Sequence, residues 1–397
     1  MLNLPLYFDH SATTPVDARV MEAMRPYFTE MFGNASSASH AFGQRARQAV
    51  ETARRQVAKL INASAAEIIF TSGATESDNL AIKGVAMGCA GRGRHIVTQV
   101  TEHKAVIDPC RRLEREGFEV TWLSVDERGR ISPRQVREAI RRDTILVTLM
   151  TANNETGTIQ PIREIGAICR ERGVLFHTDA TQAVGKIAVD ARDVDLLSVS
   201  AHKLYGPKGA GALYVRGEEA KAGLRPLIDG GGQESGLRAG TLNVPGIVGL
   251  GAACEIAAAE MEAESMRLRA LRDRLERGIR DSATDVLVNG DEENRLPHVT
   301  NLSFADVDGT WLLKVVNAEI ACSSGAACSS AKIEPSYVLR AMGRPVELAL
   351  AALRLSLGRG SDEEQVDYAV KKIARSVSQL RRLGGCTLEC GRACVCD

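Results

Sequence analysis

Seven short apolar runs recur along the first 215 positions, at residues 67–70, 95–99, 119–123, 145–149, 174–178, 195–199 and 211–215. Each has the length of a strand rather than a helix, and most lack polar alternation, as expected of strands covered on both faces. Between most of them, amphipathic segments such as 104–116, 132–141 and 162–172 carry apolar residues at helical spacing. This alternation predicts an α/β fold with a mostly parallel sheet and helices on both sides. Pro161 suits the start of the third of these helices.

The pattern changes near residue 245. A helical stretch rich in Ala, Glu, Leu and Arg runs to about residue 282 and is expected to link two domains. Beyond it the pattern predicts a strand at 299–304, a helix at 309–317, a small-residue loop at 322–331 that buries little, a strand at 353–357 and a helix at 362–382. These form a smaller α/β unit. Gly384-Gly385 is expected to end the last helix ahead of a short cysteine-rich tail. No apolar run is expected to reach the roughly 18–20 residues that cross a bilayer.

A chain of 397 residues can bury one large core and a smaller one. Its 50 basic and 50 acidic residues cancel, so no global field favours nucleic acid or an anionic membrane. The N-terminus carries no basic region followed by an apolar stretch, and a cytoplasmic location is expected. Of the ten cysteines, six are scattered between Cys89 and Cys328, and four crowd at Cys386, Cys390, Cys394 and Cys396. That distribution argues against a disulfide scaffold.

Candidate chemistry gathers just past the strand ends, where open α/β sheets bind ligands. Lys203 follows the run 195–199 and Asp179 follows 174–178. A lysine and a carboxylate there suit pyridoxal phosphate (PLP), the lysine as Schiff-base partner and the carboxylate on the pyridine nitrogen. Thr71-Ser72-Gly73-Ala74-Thr75-Glu76-Ser77 opens a helix after a strand and can cap it, bind a phosphate, or both. His103 can stack on a flat cofactor and shuttle protons. Asn153 and Asn154 offer amides, or simply a turn. In Leu353-Arg354-Leu355-Ser356-Leu357 the leucines share one face and Arg354 takes the other, where it can grip a carboxylate or sit as a surface arginine on a half-exposed strand. Cys328 lies in a run of small residues and is a candidate nucleophile, or an incidental cysteine in a helix-entry turn.

Further motifs join these: Asp9-His10-Ser11-Ala12-Thr13-Thr14-Pro15, Phe32-Gly33-Asn34-Ala35-Ser36-Ser37, His177-Thr178-Asp179-Ala180-Thr181-Gln182, His202-Lys203-Leu204-Tyr205-Gly206-Pro207-Lys208-Gly209, and Gly232-Gln233-Glu234 with Arg238-Ala239-Gly240-Thr241. Over nearly all of residues 5–383 the chain resembles the cysteine desulfurases of the NifS/IscS group, class-V aminotransferases of fold type I. The Ser-Ser-Gly-x-x-Cys loop resembles the long-loop members. The resemblance implies a large PLP-binding domain over 15–261 with a mostly parallel seven-stranded sheet. It implies a small α/β domain from 1–14 and 262–383, followed by the tail 384–397. It further implies that Lys203 holds the cofactor, Asp179 pairs with its ring nitrogen, His103 stacks on the ring and Gln182 bonds the phenolic oxygen. Ala74, Thr75, Ser200 and His202 would hold the phosphate, reached by Thr241 from the other subunit of a homodimer. Asn34, Asn154 and Arg354 would grip the carboxylate of L-cysteine, and Cys328 would accept its sulfur as a persulfide, leaving L-alanine. An iron–sulfur scaffold protein is the expected acceptor.

The chain departs from the family pattern in places. Ala201 stands where glycine is usual and Ser235 where a basic residue is common, and Cys322 is a second thiol beside the loop. The tail cysteines could hold a metal or iron–sulfur cluster, relay sulfur from Cys328, or do neither. A related selenocysteine lyase or transaminase, or a non-enzymatic sulfur carrier, are the rival readings. Cys328 argues against a transaminase, and intact Lys203, Asp179 and Arg354 argue against a carrier.

Overall fold

The computed structural model describes residues 2–324 and 334–390, with the side chains of 219, 222 and 384–390 left aside. Twelve strands are present among them: β1 (Leu6–Tyr7), β2 (Ile68–Thr71), β3 (His95–Gln99), β4 (Glu119–Leu123), β5 (Thr144–Thr148), β6 (Leu175–Asp179), β7 (Leu196–Ser200), β8 (Gly211–Val215), β9 (Val286–Val288), β10 (Val299–Phe304), β11 (Ile320–Ala321) and β12 (Ala352–Ser356).

The central sheet has seven strands in the order β2-β8-β7-β6-β5-β3-β4. Its neighbours are parallel except for β8, which runs against both β2 and β7. Strand alternation divides the core into two layers. Phe70, Val97, Val147, Phe176 and Leu197 pack under the helices Ala41–Leu60 and Val244–Ser282. Ile69, Ile96, Leu146, Leu196 and Leu213 pack under Ala74–Cys89 and Lys104–Arg115. Both faces being covered explains why these strands read as unbroken apolar runs. Four expected strands of this sheet, at 67–70, 145–149, 174–178 and 195–199, sit one residue further along or back than their apolar runs, because hydrogen-bond register, not hydropathy, sets where each begins.

A second sheet, β12-β10-β9, is antiparallel, and β1 pairs in parallel with β11. Leu6, Phe8, Leu302, Phe304, Leu353, Leu355, Val366 and Ile373 form its core. The N-terminal strand therefore belongs to the packing of the C-terminal residues. The 39-residue helix Val244–Ser282 joins both units, lying first on Ala41–Leu60 and then on Glu363–Cys390.

Two expectations are corrected here. The last helix runs through Gly384-Gly385 to Cys390, since two glycines cost only about 1 kcal/mol each in a helix of 28 residues. The helix Val244–Ser282 is long and apolar enough, by length and composition, to cross a membrane, with a mean hydropathy of 1.4 over an 18-residue window. Half of that window is buried inside the protein, where it covers the sheet, so its apolar character is already used by the fold.

Candidate active site

The chain order along the sheet reverses between β3 and β5, and the crevice beyond the carboxyl ends of a sheet lies at such a switch point. Here a cavity of about 1090 Å³ opens. Residues at or just past the ends of β3 (His103), β5 (Asn154, Glu155), β6 (Asp179, Gln182) and β7 (Ser200, His202, Lys203) line it. Asp9, Ser11, Cys322 and Arg354 close it from the side of the small unit.

Lys203 ends a single 3-10 turn after β7. Its Nζ donates to the carbonyls of Ser11 at 2.5 Å and Ala12 at 2.7 Å. Burial, together with the Arg354 cation, lowers its pKa from 10.5 to about 8. A lysine so placed exposes a sizeable neutral fraction near neutral pH, as an amine nucleophile requires. Asp179 ends β6 and accepts from the Thr181 amide at 2.9 Å. Gln182 donates to the Ser11 carbonyl at 3.0 Å. His103 caps the helix Lys104–Arg115, its Nδ1 accepting from the Ala105 amide at 3.1 Å. Burial lowers its pKa, so the neutral ring carries its proton on Nε2. His202 is likewise lowered, to about 4, by burial and by Lys203 and Lys208.

One end of the cavity lies at the start of Ala74–Cys89. Gly73 is the N-cap, supplies no side chain and has φ +153°, a conformation open to glycine. A Cβ at Gly211 would sit 2.5 Å from the Gly73 Cα, so glycine on β8 lets this turn press against the sheet. The first amides of a helix have no intrahelical acceptor and carry partial positive charge. Lys208 and Ser200 line the same cavity. The methyl of Ala201 is fully buried and leaves this arrangement in place.

At the opposite wall, the Arg354 Nη1 donates to the Asn154 carbonyl at 2.9 Å and Nη2 to Asp9 Oδ1 at 2.6 Å. The Arg354 backbone exchanges hydrogen bonds with Ser323, and Leu353, Leu355 and Leu357 face the core. Asn154 Oδ1, Thr181 Oγ1, Ser11 Oγ and Arg354 Nε are buried without protein partners around the cavity. Those orphaned groups, the helix amides, and a lysine opposite a carboxylate fit the phosphate, ring and amino-acid ends of PLP with a bound substrate.

Other expected residues fall elsewhere. Asn34 is exposed, outside the cavity lining, and its Oδ1 accepts from the Ser36 amide at 2.9 Å. Thr241 is also exposed and outside the lining of a single chain. Asn153 is a turn residue: Oδ1 accepts from the amides of Glu155 and Thr156. Cys322 is buried, contrary to the expected open loop, because its amide and Sγ both donate to Asn317 Oδ1. Burial pushes its thiol up to about 12. Cys328, Cys394 and Cys396 lie outside the described residues, and Cys386 and Cys390 are described only as helical backbone.

Several cavity groups had no assigned role in the sequence. Asp9 and the Ser11 carbonyl belong to the motif at 9–15, whose position so far from Lys203 hid their part. Asp78 and Glu155 are buried carboxyls in the cavity lining, and Glu102 is a buried carboxyl next to His103. Glu155 is pushed up to about 7 by burial and accepts from Ser336 Oγ at 2.5 Å. Glu102 is pushed up to about 8 by burial, and its carbonyl accepts from Tyr337 Oη.

The chain matches the class-V aminotransferase family over residues 6–369. It is similar to the cysteine desulfurase IscS of Anaeromyxobacter dehalogenans (strain 2CP-C), 56% identical over 384 residues, which cover 96% of this chain and 95% of that protein. It is also similar to the cysteine desulfurase IscS of Rickettsia massiliae (strain Mtu5), 52% identical, with 96% and 93% covered. Among solved structures, a NifS-like protein superposes with a TM-score of 0.88 at 40% identity, covering 95% of this chain and 100% of the other. The structure of SspA in complex with cysteine gives a TM-score of 0.79 at 40% identity, covering 89% and 98%. Fold, cavity and likeness converge, and the chain belongs to the class-V aminotransferase family, within its PLP-dependent cysteine desulfurases.

Proposed function

We propose that this protein converts L-cysteine to L-alanine and takes the sulfur onto Cys328 as a persulfide. The observation that carries the reading is Lys203, its pKa lowered to about 8, beside Asp179 in a cavity closed by Arg354. When bound, PLP supplies an electron sink conjugated to the substrate α-carbon. Lys203 would hold it covalently, Asp179 would keep its ring nitrogen protonated, and Gln182 would bond its phenolic oxygen. His103 would stack on the ring, and Ala74, Thr75, Ser200 and His202 would hold the phosphate. Arg354 and Asn154 orient the substrate carboxylate. Freed Lys203 or His103 moves the α-proton. The Cys328 thiolate attacks the substrate sulfur, the C–S bond breaks, and its electron pair stays on carbon, where protons complete L-alanine. The balance is L-cysteine plus the Cys328 thiol giving L-alanine plus the Cys328 persulfide.

The persulfide then passes to an acceptor protein, which we assign to iron–sulfur assembly. A homodimer belongs to the same reading. Phe28, Phe32 and Phe42 are 60%, 65% and 48% exposed, unusual for a lone surface, and exposed Thr241 is free to reach a partner's phosphate site. Cys89, Cys110, Cys169 and Cys254 are free and buried, which suits the reducing cytoplasm.

The experiment reduces one portion of purified protein with borohydride and assays an untreated portion, with dithiothreitol present to reduce the persulfide, for alanine and sulfide from cysteine. Wild type should retain reduced PLP on the chain in the first portion and release both products in the second. Lys203→Ala should do neither, and a Lys203→Ala protein that still fixes PLP refutes the assignment.

A further inference from the structure

The Arg354 guanidinium does not face the cavity alone. Asp9 arrives on the N-terminal segment, which pairs with β11 and then with β12: Asp9 bridges Ser356, and the Ser11 amide donates to Ser356 Oγ at 2.8 Å. The two side chains are 20% and 7% exposed and meet at 2.6 Å. Arg354 is thus held on both arms, by Asp9 on Nη2 and by the Asn154 carbonyl on Nη1, while Nε stays buried and unpartnered. We propose that Asp9 is a positioning and specificity residue: it orients Arg354 and cancels part of its charge, so that the cavity favours zwitterionic α-amino acids over plain carboxylates. The proposal rests on the reading of Arg354 as the carboxylate clamp.

The physical reason is charge bookkeeping in a place largely shielded from water. A plain carboxylate beside the Asp9–Arg354 pair adds an uncompensated negative charge near Asp9. An α-amino acid brings its own positive ammonium, which Asp9 attracts. Lys203 senses the same pair with opposite signs, raised by Asp9 and lowered by Arg354. Asp179 lines the same cavity and adds negative charge, which leaves Asp9 as the carboxylate in direct contact with the clamp.

L-Alanine and propionate, which differ by the ammonium group, are the probes, titrated into the holoenzyme by calorimetry. Asp9→Asn keeps an oxygen acceptor for Arg354 and removes the charge, and should tighten propionate about fivefold while changing L-alanine less than about twofold. Asp9→Ala removes the orienting acceptor and should weaken both. An unchanged propionate-to-alanine ratio in Asp9→Asn overturns the proposal, whatever the folding of Asp9→Ala. Arg354→Ala separates the two readings. Loss of both ligands there, with no ratio change in Asp9→Asn, overturns the role of Asp9 alone. Retention of both ligands overturns the clamp and the proposal together.

Discussion

Arg54 and Glu234 form a buried ion pair whose removal should be felt through the whole large unit. Arg54, on the helix Ala41–Leu60, donates from Nη1 and Nη2 to the two Glu234 oxygens at 2.7 and 2.8 Å. The Phe70 amide at β2 adds a third donor at 2.7 Å, and the guanidinium lies 4.6 Å from the Phe70 ring centre. The side chains are 12% and 1% exposed. Glu234 and Ser235 both hold positive φ, 48° and 59°, so this contact also restrains a strained turn on the way to Thr241. Arg54→Ala leaves the Glu234 carboxylate buried with one donor, a loss of about 3–5 kcal/mol. With an unfolding entropy of roughly 0.8 kcal/mol/K for a chain of this length, Tm should fall by about 4–6 °C. Scanning calorimetry of the holoprotein measures it. Arg54→Met with Glu234→Gln removes both charges, keeps an acceptor for Phe70 and fills the volume, and should lose less than the two single variants summed. A fall below about 1 °C in Arg54→Ala, or strict additivity in the double variant, would refute the reasoning.

Cys322→Ser should retain most of its activity, and Cys322 should resist iodoacetamide at pH 8, because its thiol is buried and pushed up to about 12; Cys328→Ser should form no persulfide by mass spectrometry. PLP capture by the apoprotein should speed up about tenfold per pH unit below 8 and level off above it, following the neutral form of Lys203, whose pKa is about 8; stopped-flow absorbance reads the profile, and a flat one between pH 6 and pH 9 contradicts it. Glu155 has its pKa raised to about 7, so its folded form is favoured while protonated and loses that advantage as pH rises towards 7. The Tm of wild type relative to Glu155→Gln should accordingly drop by about 2–4 °C between pH 5 and pH 8, and a constant difference would show that Glu155 does not titrate there.

The sequence by itself determined the sheet, its burial on both faces and the strand ends that deliver Lys203, Asp179 and His103. The reason is local: apolar runs have the length of strands, and chemistry in an open α/β sheet follows directly after a strand in the chain. The alternation in β12 also foretold that Arg354 leaves the leucine face, since the period of a strand is two. What the chain could not disclose was which distant segments share the cavity wall. Asp9 and Ser11 reach Arg354 and Lys203 only because the N-terminal strand pairs with β11 and the segment after it with β12, more than 300 positions away. Cys322 looked open in a run of small residues, yet one side chain, Asn317, draws it inward. The glycine pair at 384–385 was too weak a signal against the helix that precedes it. Strand period and strand length act between neighbours in the chain, whereas charge pairing and burial act between neighbours in space, and only the tertiary structure decides who those are.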